Sequence, residues 1–543
     1  MTLFSSFFIS LLVSMLLVPP LVKLSAKLGL VDIADTRKIH EGVVPRSGGI
    51  AIVAGALVPL LIWWPDEKLL RALMLGALVI FVFGVADDRR GLNYRWKFFG
   101  QLLAVAIVIG AGLRIEVIPF MGIDPVSPWI SIPLTVLFVV GVTNAINLSD
   151  GLDGLAAGTS LVALAVIAWL FFETQAVSLA LITLATVGGV CGFLRYNNHP
   201  AVIFMGDTGS QFLGFVTAVL AIILTQQTNP ALNPALLLLL LGLPILDTLT
   251  VMVWRIRRGN SPFLPDRNHF HHRLLDFGFH HYEAVSVIYV AQAIMVGTGY
   301  VLRYEADIVV MGAYVVLAAL IVGGFRYARI TNFRVHAAAA GEHDPQAKSG
   351  LLRRFPFVPG AVVRVTELLA GLLLLLAAVY PVEVSRQFGW LMLALAFYVL
   401  VARLLPSRLR DVASRLSIYL AGVAAIFAFT SQPQIPWLLS SHINGLFLIV
   451  GVFLLISIRM TAREQFRSTP LDFLVLVFVL AIVVATNMKG ATAGPVELAD
   501  TAIRLSVFFY VSEFLCRQER RKSLILPLSA LVALCVLAAR GLA

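Results

Sequence analysis

The chain has 543 residues, of which 59% are apolar and only 13% charged, about half the charged share of a soluble domain. Mean hydropathy is +0.91, and apolar runs near the ~20 residues needed to cross hydrocarbon recur along the whole length. These totals exclude a soluble enzyme, and they assign the net charge of +11 to membrane topology rather than to nucleic acid.

Segmentation yields eighteen apolar runs, eleven within 1–330 and seven within 361–543, separated by a polar linker at 331–360. The expected fold is an all-α polytopic membrane protein. The first run has no basic residue before it and Lys23 and Lys27 after it, the pattern of an uncleaved helix with its N-terminus outside. Alternation from there puts the large majority of Lys and Arg on the cytoplasmic side. Cys191, Cys516 and Cys535 lie in or beside apolar runs, and their odd number and spacing suit neither a disulfide framework nor zinc.

Five inward loops carry chemistry. The first, 23–46, holds Arg37, Lys38, His40 and Arg46 before a Gly pair that enters the next helix. It reads as a basic loop obeying the positive-inside rule, with a phosphate-binding helix start as the alternative. The second is G-V-A-D-D-R-R-G-L-N-Y-R-W-K, with Asp87 and Asp88 closing an apolar run. Paired carboxylates suit a divalent cation or a diphosphate–metal complex; the alternative is a pair balanced by Arg89 and Arg90.

The third, N-A-I-N-L-S-D-G-L-D-G-L-A-A-G at 144–158, follows an apolar run and contains no Lys or Arg. A carboxylate at membrane depth costs roughly 2.5–3.5 kcal/mol, so Asp150 and Asp153 mark a polar pocket, with Gly151, Gly154 and Gly158 available for tight turns or close approach. In the fourth, F-M-G-D-T-G-S, Asp207 opens a helix as an N-cap or a metal ligand. The fifth, P-D-R-N-H-F-H-H-R-L-L, gathers His269, His271, His272 and Arg273. These suit a metal site or a pyrophosphate clamp, and the flanking Asp266 and Arg267 favour the clamp.

Taken together in this order, the five loops resemble the polyprenyl-phosphate N-acetylhexosamine-1-phosphate transferases. The resemblance covers about 1–330 and implies a transferase bundle of about eleven helices with a cytoplasmic-face active site in the bacterial inner membrane. It implies transfer of N-acetylhexosamine-1-phosphate from a UDP-sugar to undecaprenyl phosphate, with Mg²⁺ as cofactor (Mn²⁺ standing in) and release of UMP. The H-x-H-H-R-L pattern resembles the UDP-GlcNAc branch that serves O-antigen and related lipopolysaccharide glycans, enterobacterial common antigen and wall teichoic acid. By the same resemblance Asp87 and Asp88 lie at the polyprenyl-phosphate site and Asp207 is the metal ligand. Asn147, Asp150, Asp153 and Phe204 line the nucleotide pocket, and Lys97 stands near the phosphates. His269, His271 and His272 approach the diphosphate, and equivalents for Lys38 and His40 follow. A homodimer is implied as well. A transporter or lipid-linked-glycan flippase with buried carboxylates is the competing reading; midplane charges and internal repeats, its usual marks, are not evident. Residues 361–543 repeat none of the clusters and are read as an added membrane domain for an unknown partner.

Overall fold

The computed structural model describes residues 2–33, 43–122, 125–261, 268–335, 358–381, 384–402, 407–430, 437–460, 495–517 and 524–543. The chain is a multi-pass, all-helical membrane protein, and among the described residues ten helices are long and apolar enough to span a bilayer. One addition is a two-stranded antiparallel ribbon, Val31–Ile33 with Val43–Pro45, beside the first helix. The described residues up to Val335 form one compact unit and those from Val358 onward a second. Lys38 and His40, Asp266 and Arg267, most of the 331–360 linker and the apolar run at 471–486 lie outside the described residues.

The first unit contains α1 (Thr2–Leu28), α2 (Gly48–Ile62), α3 (Lys68–Arg90), α4 (Tyr94–Gly110), α5 (Pro128–Leu148), α6 (Leu155–Glu173), α7 (Val177–Asn197) and α8 (Gly206–Ile223). It continues with α9 (Leu236–Leu240), α10 (Gly242–Arg257), α11 (Phe270–Asp276), α12 (His281–Val301) and α13 (Asp307–Ile330). The apolar run at 233–254, read as one span, is two helices broken at Leu241. Gly242 and Pro244 follow that residue, and Gln292 donates to the Leu240 carbonyl freed there, at 2.8 Å. Pro244 has no N–H to give and its ring obstructs the preceding turn.

Small residues bring the helices together, since lipid offers no hydrophobic drive for helix pairing. On α1, Ser6, Ser10 and Ser14 recur every four residues and donate to the α7 carbonyls of Leu181, Ala185 and Gly189. Opposite that ladder Gly188 leaves no room for a Cβ, which would lie 2.3 Å from the Phe7 carbonyl. Helix α8 is the hub: from Thr208 to Thr225 it is wholly buried. Its entry is reached by α2, where a Cβ on Gly49 would meet the Gly209 nitrogen at 2.3 Å. At its far end a π-turn, Leu224–Thr228, presents Gln226, whose Oε1 accepts from the Glu116 and Val117 N–H groups at 2.9 Å each.

In the second unit the described helices are α14 (Val358–Val379), α15 (Arg386–Ala402), α16 (Ser407–Thr430), α17 (Trp437–Met460), α18 (Pro495–Arg517) and α19 (Ile525–Leu542). Helices α15 and α19 meet at Gly389 and Gly541. Inside lie Thr366 against Ser457 at 2.9 Å, Tyr419 bonded to Glu513, and Arg504, whose Nε donates to Asn444 Oδ1 at 3.0 Å.

Candidate active site

The segment D-D-R-R-G-L-N-Y-R-W-K folds back on itself for local reasons. Gly91 adopts φ +64° and ends α3, its N–H returning to the Asp87 carbonyl, the left-handed C-cap that glycine serves best. Asn93 then opens α4, and one turn in, Lys97 lands beside Asp87. The Lys97 ammonium bridges two carboxylates: it pairs with Asp87 Oδ2 and lies 2.8 Å from Asp207 Oδ2. Asp87 is buried and takes the Leu92 N–H on Oδ1 at 2.7 Å. Lys97 and Asp207 keep 33% and 31% of their side-chain surface exposed, so the centre opens on their side.

Asp88 does different work from its neighbour. Its Oδ1 accepts the Asp207 N–H at 2.8 Å, and its Oδ2 accepts the Thr208 N–H at 2.9 Å and the Thr208 hydroxyl at 2.5 Å. It is the N-terminal cap of α8 supplied from another helix, satisfying donors that the helix itself leaves orphaned. Gly206 makes this possible: at φ +69° its absent Cβ would stand 2.6 Å from Asp88 Oδ2. All three of these bonds go to the α8 entry, so Asp88 holds in place the segment that carries Asp207. Asn147 donates to Asp207 Oδ1 and to Ser210 Oγ, both at 2.7 Å. One turn deeper, Gln101, Asn144 and Gln211 form an amide cluster with contacts of 2.8 to 3.4 Å.

The Asp–Gly loop between α5 and α6 is held by its glycines. Gly154 turns at φ +80°, donates its N–H to Asn197 Oδ1 and accepts the Tyr289 hydroxyl on its carbonyl. Gly151 lies flat under His271, where a Cβ would be 2.2 Å from Nε2. These glycines serve packing more than a phosphate cradle. Burial pushes the Asp150 carboxyl up to about 8, helped by the negative charges of Asp207, Asp88 and Asp153 and opposed by Arg46. For Asp153 burial also acts upward, but the His199 hydrogen bond, the His281 charge and the Ala201 N–H outweigh it and hold the group below its usual range.

The histidine segment docks through Asp247 of α10, which the sequence reading did not single out. Asp247 is buried; its Oδ2 faces His269 Nδ1 at 2.9 Å and its Oδ1 takes the Phe270 N–H at 2.9 Å. With Nδ1 turned to Asp247, His269 presents Nε2 on its other side, the usual carboxylate–imidazole device for fixing a ring. His271 stacks near His269, and burial with the charges of His272, His269 and His281 pushes its ring down to about 3. Beneath this segment a cavity of about 20 Å³ is lined by Ser149, Thr159, Pro244, Asp247 and His271, room for about one water. Phe204 is fixed by its backbone, which pairs with Pro45 and Gly48 at 2.7 and 2.9 Å. Asp87, Asp88, Lys97, Asn147, Asp207 and Ser210 thus converge on one centre. Asp150, Asp153, Phe204, His269, His271, His272 and Arg273 come from loops and helix starts at that same end of the bundle.

A family model described as Glycosyl transferase family 4 matches residues 70–225. The chain is similar to a Bacillus subtilis (strain 168) protein named probable undecaprenyl-phosphate N-acetylglucosaminyl 1-phosphate transferase, with 38% identity over 290 residues, 52% of this chain and 80% of that protein. A Yersinia pestis undecaprenyl-phosphate alpha-N-acetylglucosaminyl 1-phosphate transferase is 31% identical over 288 residues, 51% of this chain and 78% of that protein. A Mycolicibacterium smegmatis decaprenyl-phosphate N-acetylglucosaminephosphotransferase is 33% identical over 341 residues, 55% of this chain and 82% of that protein.

Proposed function

The chain belongs to glycosyl transferase family 4, and from that premise we propose that it moves GlcNAc-1-phosphate from UDP-GlcNAc to undecaprenyl phosphate, releasing UMP at the cytoplasmic face of the bacterial inner membrane. The product opens a cell-envelope glycan. The observation that carries this reading is the Lys97 ammonium held between the Asp87 and Asp207 carboxylates. The reaction must bring a lipid phosphate oxygen onto the β-phosphorus of a diphosphate, so two anions have to meet. The oxygen donors that converge at Lys97 are hard ligands of the kind Mg²⁺ takes, so the set fits that ion, and Asp207 and Asp87 are the residues that would hold it. When bound, Mg²⁺ would neutralise diphosphate charge and favour the departure of UMP.

The chain's own groups do the rest. Lys97 supplies a fixed cation at the phosphates, and Asn147 holds the Asp207 carboxylate in place. Asp88 sets the α8 entry on which Asp207 stands. Asp247 fixes the His269 ring, which would meet the diphosphate. A polyprenyl phosphate is already ionised near neutral pH, so positioning and electrostatics contribute more than proton removal, and the lipid phosphate attacks directly. The transporter reading is not favoured: these charges sit at helix ends on one side of the bundle, not in midplane breaks.

The test is UMP release by the purified full chain with undecaprenyl phosphate, Mg²⁺ and UDP-GlcNAc, beside UDP-GalNAc and UDP-MurNAc-pentapeptide. Release with UDP-GlcNAc alone, lost with EDTA and in Asp207→Asn, supports the proposal. Binding of UDP-GlcNAc with no release of UMP refutes it.

A further inference from the structure

One cluster of titratable side chains joins a residue of the expected nucleotide pocket to two histidines outside the five loop motifs: Asp153 of the Asp–Gly loop, His199 after α7 and His281 at the start of α12. One ligand atom from each lies within 4.8 Å of the others. Asp153 Oδ2 is 2.7 Å from His199 Nδ1 and 3.9 Å from His281 Nε2. Around a tetrahedral ion with metal–ligand bonds of 2.0–2.1 Å, neighbouring donors stand about 3.3 Å apart, so the triangle has the right size and an uneven shape. His281 Nε2 is closed off from solvent and has no hydrogen-bond partner among the described residues. Such an orphaned buried nitrogen calls for a ligand.

The two rings are stacked, with centroids 4.0 Å apart and planes 16° from parallel, and rings so placed cannot aim both lone pairs at one ion. The adjustment falls on His199, whose side chain is 44% exposed, while Asp153 and His281 are 15% and 13% exposed. Rotating the exposed ring closes the site and leaves its outer side open to water. Two imidazoles and one carboxylate select zinc-type ions over Mg²⁺, which prefers oxygen donors.

We propose that Asp153, His199 and His281 form a second metal site, for a first-row divalent cation of the zinc type, distinct from the Asp87–Lys97–Asp207 centre. Occupation withholds the Asp153 carboxylate from the nucleotide, so the ion inhibits. The binding half stands independently of the transferase reading; the inhibition half rests on it.

The experiment is titration of tag-free, chelator-stripped full-length protein with Zn²⁺ by calorimetry and with Co²⁺ by visible spectroscopy. One equivalent is expected, with cobalt bands of nitrogen and oxygen ligation. His199→Ala and His281→Ala should each weaken binding by about 100-fold or more, no less than loss of an outer partner costs a metal site. His199 is exposed, so that variant keeps its fold, and its melting temperature checks this. Unchanged Zn²⁺ affinity in His199→Ala, or no binding by wild type, overturns the site. Zn²⁺ should also raise KM for UDP-GlcNAc in wild type but not in His199→Ala, and binding without that shift overturns the inhibitory role. A chain that binds Zn²⁺ yet releases no UMP keeps the site and refutes the transferase reading alone.

Discussion

Two adjacent aspartates divide one task, and substituting them separately exposes the division. Asp88→Asn leaves one oxygen and one amide where the carboxylate now accepts three hydrogen bonds from Asp207 and Thr208. An asparagine oxygen at the Oδ2 position keeps both Thr208 donors, while its NH₂ then faces the Asp207 N–H. Charged hydrogen bonds contribute about 1.5–3 kcal/mol each, and a carboxylate at a helix start adds a fraction of that through the dipole, so a net loss of about 2–3 kcal/mol follows. Asp207 shifts with the α8 entry, so turnover collapses as well. Asp87→Asn should behave otherwise: turnover is lost, but the melting temperature holds or rises, since a buried carboxylate is removed beside a lysine that keeps Asp207. The assay is thermal unfolding in detergent, read beside UMP release for both variants. An Asp88→Asn protein that is inactive yet melts like wild type refutes the capping argument and returns Asp88 to the chemistry.

Lys97→Met removes the cation between Asp87 and Asp207, so UMP release should fall by about 10²–10³-fold while the stabilising effect of added Mg²⁺ on melting grows; unchanged Mg²⁺ response would count against the shared position. Asp247→Asn frees the His269 ring, and misplacement of a contributing group on that scale costs about 10²-fold in kcat; rescue by Asp247→Glu is expected, and an unaffected kcat sinks the positioning role. Asp150 titrates near 8 in the fold against a carboxylate's usual value near 3.9. Its raised value makes the native state the better proton binder, so its contribution is full below the unfolded value and is lost as pH rises through about 8. Asp150→Asn should therefore gain melting temperature over wild type as pH climbs toward that value; parallel curves would refute the assignment.

Much of the site was legible because its residues sit beside glycines or in polar breaks of apolar runs. Gly91 and Asn93 announce the turn that returns Lys97 to Asp87, and that turn is local. Gln101 and Gln211 lie four residues on from Lys97 and Asp207, and Asn144 three before Asn147. The amide layer was therefore readable from helical spacing, although hydropathy hid it. The cap was not readable: Asp88 and Asp207 are 119 residues apart, and only the crossing of α3 and α8 joins them. Asp247, His199 and His281 belong to none of the five loop motifs, and each gains its role from a distant element. The break at Leu241 has a signal in G-L-P, set among leucines that make the apolar run look continuous.

The second unit poses a sharper question because its ionisable residues are not explained by stability. Arg504 is buried on α18 with Asn444 and Asp500 as partners, its guanidinium 5.4 Å from the Phe429 ring centre. Replacing a buried ion pair by apolar chains of similar volume is often neutral or stabilising, and Asp500, its side chain 42% exposed, stays solvated when Arg504 is removed; buried ionisable residues of a membrane protein usually mark function. Every residue of the candidate site comes from the first unit. Arg504→Met should therefore leave both melting temperature and UMP release close to wild type, moving the search for this arginine's purpose to a process other than transfer. A variant that melts normally but releases UMP tenfold more slowly refutes that separation and makes the second unit part of the reaction.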